Sequence, residues 1–273
     1  MNVAIIGCGY VGTAVARLWQ QQGLTVTATT TKGDRTPELE AIAAQVLVLQ
    51  GDDQAALQSA LQDQQTVLLS IGAANSKVYE ATYLRTAETL AQVLPRCPNL
   101  QQLIYTSSYS VYGDHQGAWV DEDTPIEPTN ANTQILAKTE QVLLNATQPG
   151  LNICVFRLGG IFGPGRELVK IFRRVPGTTR PGNGSSASNW VHLDDIVGAI
   201  DFAHTHQLQG IYNLVLDAPP TSRELLAQIC HKYDLPPVSW DPSLPGKRAN
   251  NVRLSNRKLK TSGYEFIHSE ISI

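Results

Sequence analysis

A glycine turn near the start of the chain constrains the fold more than any other feature. Residues Gly7 to Gly12 read G-C-G-Y-V-G, after the β-branched run Val3–Ile6 and before helical periodicity over Thr13–Gln22. A G-x-G-x-x-G pattern is weak alone, but a strand before it and a helix after it are the context of dinucleotide binding. The glycines allow a tight turn, close approach of the backbone to a pyrophosphate and close helix–sheet packing, and the helix amides face the phosphates. We predict five cofactor-binding residues in this turn: Gly7, Gly9, Tyr10, Val11 and Gly12.

Strand-like and helix-like patterns alternate through the first 160 residues. The strand-like runs are apolar throughout, which is typical of parallel strands covered on both faces. The pattern predicts an α/β fold, a Rossmann-type doubly wound parallel sheet. The predicted strands are Val3–Ile6, Thr25–Thr29, Val46–Leu49, Thr66–Ile71, Leu103–Thr106 and Ile153–Arg157. The predicted helices are Thr13–Gln22, Leu39–Ala44, Asp53–Leu61, Tyr79–Leu94 and Thr133–Asn145.

The pattern loosens after Gly163. Gly, Pro, Ser and Thr dominate Gly177 to Ser188, which predicts a mobile loop. A helix is predicted over Asp194–His204, a strand over Ile211–Leu216, and a further helix over Ser222–Tyr233 with Ser222 as its cap. We predict a single domain over 1–273. Residues 1–165 and about 190–216 form its Rossmann core, and about 166–189 and 217–273 form a small C-terminal substrate lobe.

The residues after the second strand bear on the choice of cofactor. NAD-binding proteins usually place an acid there to hold the ribose 2′-hydroxyl. This chain has Thr30, Thr31 and Lys32, followed by Arg35, and these hydroxyls and cations suit a 2′-phosphate. Asp34 argues for NAD, since a slightly longer strand brings it into place. The sequence therefore favours NADP, with NAD as the second choice.

Composition excludes several classes of protein. The net charge is −3 and charged residues make up 16% of the chain, which argues against nucleic acid as a partner. The basic residues from Lys247 and Arg248 to Lys260 are scattered and indicate a solvated surface. No apolar run approaches the length of about 18 residues expected of a membrane span. The N-terminus lacks the basic lead of a signal peptide, so we expect a cytoplasmic protein without membrane association.

The four cysteines indicate no metal site. Cys8, Cys97, Cys154 and Cys230 form no C-x-x-C pair, and Cys8 and Cys154 lie inside apolar strand-like runs. Buried thiols in a reducing compartment are the favoured interpretation, and zinc-ligand spacing is missing.

A second motif lies in the middle of the chain. Thr106 to Gly113 read T-S-S-Y-S-V-Y-G, and an acidic loop, Pro128 and Lys138 follow. This text resembles the extended short-chain dehydrogenase/reductase family, which includes epimerases and dehydratases, and in particular the atypical branch of YeeZ-like proteins. The resemblance covers residues 1 to about 235. It extends to the segments Phe156–Gly165 and Trp190–Asp195, the first of which lines the cofactor and substrate cleft in the family.

The resemblance implies roles for individual residues. Ser108 would bond the reacting oxygen of the substrate, and Lys138 would hold the nicotinamide ribose. Asp52 would meet the adenine, and Ser70 and Gly72 would lie along the cofactor. The family pairs through helices that correspond here to Tyr79–Leu94 and Thr133–Asn145, so a homodimer is implied.

The catalytic tyrosine of the family is missing. The family places it four residues before the lysine, and that position here is Gln134. An amide neither titrates nor donates a proton in the useful range. Tyr109, Tyr112 or His192 could supply the base, the reaction could need no strong base, or the site could bind cofactor without turnover. Tyr109 and Ser110 replace the Asp-Glu of the family's dehydratases, which argues against sugar 4,6-dehydration.

The sequence favours an NAD(P)-dependent oxidoreductase or epimerase (an isomerase). Its small-molecule substrate would be hydroxylated, and the resemblance adds a nucleotide sugar as the substrate class. The alternative is a non-catalytic NADP(H)-sensing or binding protein, which accounts for Gln134 without a substitute base. A third hypothesis is a sugar-nucleotide binder with structural NADP.

Overall fold

The structure, a computed structural model, describes residues 1–244, 250–271 and 273. The basic pair Lys247 and Arg248 lies outside the described residues. Within the described residues the strands are β1 Asn2–Ile6, β2 Thr25–Thr30, β3 Gln45–Val48, β4 Thr66–Leu69, β5 Gln102–Ser108, β6 Trp119–Val120, β7 Asn152–Leu158, β8 Gly160–Phe162, β9 Thr179–Pro181, β10 Trp190–His192, β11 Gly210–Leu214, β12 Ser239–Asp241 and β13 Arg253–Leu254. The α-helices in the same residues are α1 Tyr10–Gln21, α2 Thr36–Glu40, α3 Gln54–Leu61, α4 Thr86–Val93, α5 Ala131–Asn145, α6 Leu168–Ile171, α7 Leu193–His206, α8 Ser222–Lys232 and α9 Arg257–Thr261.

Seven strands form the main sheet, in the order β11-β7-β5-β4-β1-β2-β3. β1 is parallel to both of its neighbours, with Val3 opposite Val26 on β2 and Thr66 on β4. The strand order reverses between β1 and β4, and such a switch point is where open α/β sheets bind ligands. The predicted α/β class and doubly wound parallel sheet are confirmed.

The chain forms two compact units. Unit 1 comprises Met1–Ser108, Asn130–Arg157 and Val197–Tyr212, and unit 2 comprises Tyr109–Thr129, Leu158–Ile196 and Asn213–Ile273. Unit 1 contains a large apolar cluster, in which Leu69, Leu90 and Leu103 are completely buried. The described residues of unit 2 include a smaller apolar cluster around Leu225 and Ile229 and another around Tyr112 and Val252.

The predicted helix over Tyr79–Leu94 is not a continuous α-helix. A π-helical turn over Ala81–Arg85 precedes α4, and a 3-10 turn over Leu94–Arg96 follows it. The rings of Tyr79 and Tyr83 lie 4.6 Å apart at this turn. Apolar spacing does not separate the two helix types, because a π-turn inserts a single residue into an α-helical pattern.

Ser222 was predicted as the cap of the eighth helix, and this is wrong. Thr221 is the cap: its hydroxyl accepts the N–H of Glu224 at 3.2 Å, and the Glu224 carboxylate accepts the N–H of Thr221 at 2.8 Å. This reciprocal pair is a capping box. Ser222 is the first helical residue, and its hydroxyl donates to the carbonyl oxygen of Ser186. Two adjacent hydroxyl residues make the register ambiguous in sequence.

Segments with weak periodicity contain short strands. Within Gly177 to Ser188, β9 pairs in parallel with β12, so Arg180 lies opposite Trp240. β13 pairs with β6 in the same way. Strands of two or three residues are too short to show an alternating pattern. No helix among the described residues combines the length and the apolar character that a membrane span needs.

Candidate functional site

The glycine turn of unit 1 contains one glycine that the fold itself does not need. At Gly7, which has φ +94°, an added Cβ would lie 2.5 Å from the Ser70 carbonyl oxygen, and at Gly12 it would lie 2.5 Å from the Gly7 carbonyl oxygen. At Gly9 an added Cβ meets no described atom within 4 Å. Packing therefore explains two of the glycines, and the open space at Gly9 fits a pyrophosphate brought close to the backbone.

Hydrogen bonds from β2 hold the turn in place. The N–H of Gly7 donates to the Thr29 hydroxyl at 3.0 Å, and the N–H of Cys8 donates to the Thr29 carbonyl oxygen at 2.9 Å. Gly9 precedes α1 and has no side chain to cap it, so the helix start presents backbone amides to a ligand. Burial raises the pKa of the Cys8 thiol to about 12. The sequence does not indicate this role of Thr29, because the residue that donates to its hydroxyl, Gly7, lies 22 residues earlier in the chain.

Arg35 lies directly against the glycine turn. Its guanidinium donates to the Cys8 carbonyl oxygen and, at 3.3 Å, to the Thr13 hydroxyl. It also forms an ion pair with Glu38 at 3.1 Å. The sequence predicts Arg35 near the cofactor, and the structure places it beside the glycine turn.

The other residues predicted for cofactor choice differ in exposure. Thr30 is buried, and its hydroxyl accepts the N–H of Lys32 at 3.1 Å. This oxygen therefore holds the chain where it turns after β2. The side chains of Thr31, Lys32 and Asp34 are exposed.

The ends of β3 and β4 carry the remaining predicted cofactor residues. Asp52 is exposed, while Asp53 caps α3 by accepting the N–H of Ala56 at 3.0 Å. Ser70 follows β4, and its hydroxyl accepts a hydrogen bond from the Thr106 hydroxyl at 3.3 Å. A Cβ added at Gly72 would meet no described atom within 4 Å.

The proposed catalytic residues lie on β5 and α5. Ser108 is half-buried at the last position of β5, and α5 packs against this strand. Gln134 and Lys138 lie one helical turn apart on the same side of α5. Both side chains are exposed. A capping box between Asn130 and Thr133 fixes the start of the helix. An amide therefore occupies the turn before the lysine.

A buried polar network anchors α5 to the sheet. The Ser107 hydroxyl donates to Glu140 at 2.5 Å, and the Arg157 guanidinium donates to the same carboxylate through Nε and Nη2 at 3.1 and 2.8 Å. The side chains of Arg157 and Glu140 are only 4% and 3% exposed. The expectation that the segment around Arg157 lines a cleft does not hold for this side chain, which is enclosed by its partner.

The candidate substitute bases belong to unit 2. Tyr112 is fully buried, and its hydroxyl donates to Asn213 Oδ1 at 2.9 Å. Burial raises the pKa of the Tyr109 hydroxyl, while a hydrogen bond with the Asn189 side chain lowers this pKa by a smaller amount. The Nδ1 atom of His192 accepts the N–H of Asp194 at 3.2 Å. Tyr112 is therefore committed to a structural bond and is a poor choice of base.

A cavity of about 800 Å³ lies within unit 2. Its wall is polar, with Arg180, Ser185 and Asn251 among the lining residues, and Trp240 adds an aromatic surface. Four arginines flank this part of the sequence, Arg166, Arg173, Arg174 and Arg180, and each can meet a diphosphate or belong to a solvated basic rim. Of these four, Arg180 alone is among the described residues that line this cavity.

Comparison with known proteins places the chain in a family. The model of the NAD dependent epimerase/dehydratase family matches residues 3–214. The chain belongs to this family. Protein YeeZ of Escherichia coli strain K12 is 32% identical over 272 residues, covering 93% of each protein. The predicted resemblance to atypical, epimerase-like members is confirmed.

Solved structures show the same fold. A conserved protein of unknown function from Silicibacter pomeroyi DSS has a TM-score of 0.80 at 25% identity, covering 98% of this chain and 94% of that one. The UDP-glucose 4-epimerase of Thermus thermophilus, solved with NAD, has a TM-score of 0.78 at 21% identity, covering 97% and 94%. The shared fold is that of NAD-binding proteins.

Proposed function

We propose that this member of the family is an NAD(P)-dependent oxidoreductase or epimerase that acts on a hydroxyl group of a nucleotide sugar. The observation that carries the proposal is the open space at Gly9, in a turn whose other glycines are explained by packing. The bound nicotinamide would supply hydride transfer, and the protein would bind, orient and exchange protons.

The cofactor would lie along the switch point of the sheet. The amides that start α1 would face its pyrophosphate, Arg35 and Lys32 would meet the 2′-phosphate, and the backbone of Ser70 and Gly72 would border it. Exposed Asp52 would meet the adenine, as the resemblance implies. NADP is the proposed cofactor because Arg35 lies beside the turn and Thr31 and Lys32 are exposed next to it.

The proposed preference for NADP gives a direct binding test. Titration with NADPH and NADH, followed by nicotinamide fluorescence, should show tighter binding of NADPH. Arg35→Ala should weaken NADPH binding about tenfold or more, since a charge-assisted hydrogen bond contributes about 1.5–3 kcal/mol, and should affect NADH much less. Arg17→Ala removes an exposed arginine of α1 as the matched control. Tighter binding of NADH by the parent protein would refute the preference.

Ser108 and Lys138 would carry the chemistry of the substrate oxygen. Ser108 would hold the reacting hydroxyl by a hydrogen bond, and Lys138 would hold the nicotinamide ribose. Gln134 would act as a hydrogen-bonding group only, because a carboxamide does not exchange a proton in the useful range. Proton exchange would then pass to solvent, and losing a general acid/base costs about 10²–10⁴ in rate.

Restoring the phenol tests this account of a slow enzyme. Gln134→Tyr should raise turnover by about 10² or more with a panel of UDP- and dTDP-sugars, since Lys138 one turn away favours the phenolate electrostatically. Gln134→Phe supplies the same ring without the hydroxyl and should gain nothing. The assay follows NAD(P)H absorbance and product formation.

A nucleotide sugar is the proposed substrate class because the unit 2 cavity pairs Arg180 and hydroxyl groups with the ring of Trp240. Arginine suits a diphosphate, and an aromatic ring suits a base. The fold is also that of the UDP-glucose 4-epimerase with NAD.

A second candidate function is an NADP(H)-sensing protein without turnover, and Gln134 is the observation that favours it. In that case the Gln134→Tyr variant would bind cofactor normally and stay inactive across the whole panel. Such a result would end the enzyme proposal and leave the binding turn intact.

A further inference from the structure

Three side chains of unit 2 meet at the start of α7. His192 ends β10, Asp194 lies in the first turn of α7, and His268 lies near the end of the chain. The distances from Asp194 Oδ2 are 3.3 Å to His192 Nδ1 and 3.0 Å to His268 Nε2. One ligand atom from each residue can be chosen so that all three lie within 4.8 Å of one another. We call this group the His–Asp–His cluster.

Backbone hydrogen bonds fix His268 in this position. The Asp195 carboxylate accepts the N–H groups of Ile267 and His268 at 2.7 and 3.1 Å. The Tyr264 hydroxyl donates to the Asp195 carbonyl oxygen at 2.9 Å. The residue next to Asp194 therefore tethers the segment that carries His268, so the third side chain of the cluster is positioned before any ligand arrives.

A hydrogen bond places the His192 ring beside the Asp194 carboxylate. His192 Nδ1 accepts the N–H of Asp194 at 3.2 Å, which holds the imidazole against the first turn of α7. The same nitrogen stands 3.3 Å from the Asp194 carboxylate oxygen. The Asp194 carboxylate, next to two imidazoles, would attract a cation.

The spacing suits a small divalent metal. Zn²⁺ binds imidazole nitrogen and carboxylate oxygen at about 2.0–2.2 Å, which puts neighbouring ligands of a tetrahedron roughly 3.3–3.5 Å apart. The distances of 3.0 and 3.3 Å from Asp194 Oδ2 are those of direct contacts between the side chains, and a bound ion would replace these contacts. Asp194 is 51% exposed, so an ion has access from solvent. Imidazole and carboxylate together are typical ligands of Zn²⁺ and its neighbours in the transition series.

We propose that His192, Asp194 and His268 form a binding site for a divalent transition metal, with Zn²⁺ as the expected ion. Three protein ligands leave a fourth position for water. The ion cross-links the C-terminal segment to the junction of β10 and α7, and this clips the segment in place. No local motif in the sequence indicates this site, because His268 lies 74 residues after Asp194 along the chain. The proposal lies within unit 2 and does not depend on the proposed enzymatic function.

The test is metal titration of the chelator-treated full chain. Titration with Zn²⁺ by calorimetry should give one site per chain, and Co²⁺ should give the visible absorption of a four-coordinate complex. His268→Ala and Asp194→Asn should each weaken binding by more than about tenfold, the lower end of what even outer-shell changes produce. Zn²⁺ should raise the unfolding temperature of the parent chain and not that of His268→Ala.

His231→Ala is the matched control. His231 is an exposed histidine of α8, so its removal should leave Zn²⁺ affinity and the Co²⁺ spectrum unchanged. Circular dichroism of each variant without metal shows whether the fold is retained, and Asp194→Asn keeps the size of the side chain if His268→Ala fails to fold. The proposal is overturned if the parent chain binds no Zn²⁺ with one-to-one stoichiometry, or if both cluster variants bind it as the parent does.

Discussion

Gly9→Ala should fold like the parent protein and bind NAD(P)H about 10–100-fold more weakly. The added methyl group meets no described atom within 4 Å, so the folded state should tolerate it. The same methyl group would occupy the space that lets a pyrophosphate reach the backbone. The expected loss of affinity corresponds to about one hydrogen bond between the backbone and a charged phosphate. Fluorescence titration and urea unfolding of the same preparation separate the two effects.

Gly12→Ala is the matched comparison, and the opposite pattern is expected. Its Cβ would lie 2.5 Å from the Gly7 carbonyl oxygen and 3.1 Å from the Ile5 side chain. The free energy of unfolding should fall by about 1–3 kcal/mol, as overpacking of a tight contact usually costs. If Gly9→Ala destabilises the protein as much as Gly12→Ala does, the space at Gly9 is not a ligand cradle.

Arg157→Met should lower the free energy of unfolding by about 3–5 kcal/mol, because it leaves the Glu140 carboxylate buried without its ion-pair partner. Both side chains are almost completely enclosed, so water cannot replace the lost contact. Equilibrium unfolding in urea measures the change. Since Glu140 lies two residues after Lys138, a loosened α5 should also lower cofactor affinity.

The double variant Glu140→Leu/Arg157→Met distinguishes a buried charge from a lost contact. Removing both charges should give a protein more stable than Arg157→Met alone, although Ser107 loses its acceptor. Glu167→Gln breaks an exposed ion pair with Lys170 and should leave the urea midpoint unchanged. Equal loss in the single and double variants would show that the charge itself contributes little.

The candidate site was predicted from sequence in unequal parts. The turn from Gly7 to Gly12 was identified because its spacing and flanking elements are local. Arg35 was placed near the turn by its position after β2. The roles of Ser108, Lys138 and Gln134 stay predictions, since the structure shows their positions and no bound substrate tests them.

Alternating apolar runs and one glycine turn by themselves determined the α/β class, the parallel sheet and the place of the glycine turn between β1 and α1. Each of these follows from patterns a few residues long, in which burial and backbone freedom act locally. Tertiary structure decided what depends on distant partners. It buried Arg157 against Glu140, engaged the Tyr112 hydroxyl with Asn213 and brought His268 to Asp194. Side chains from far along the chain meet only when the sheet has formed and its connections have packed, so no local pattern records them.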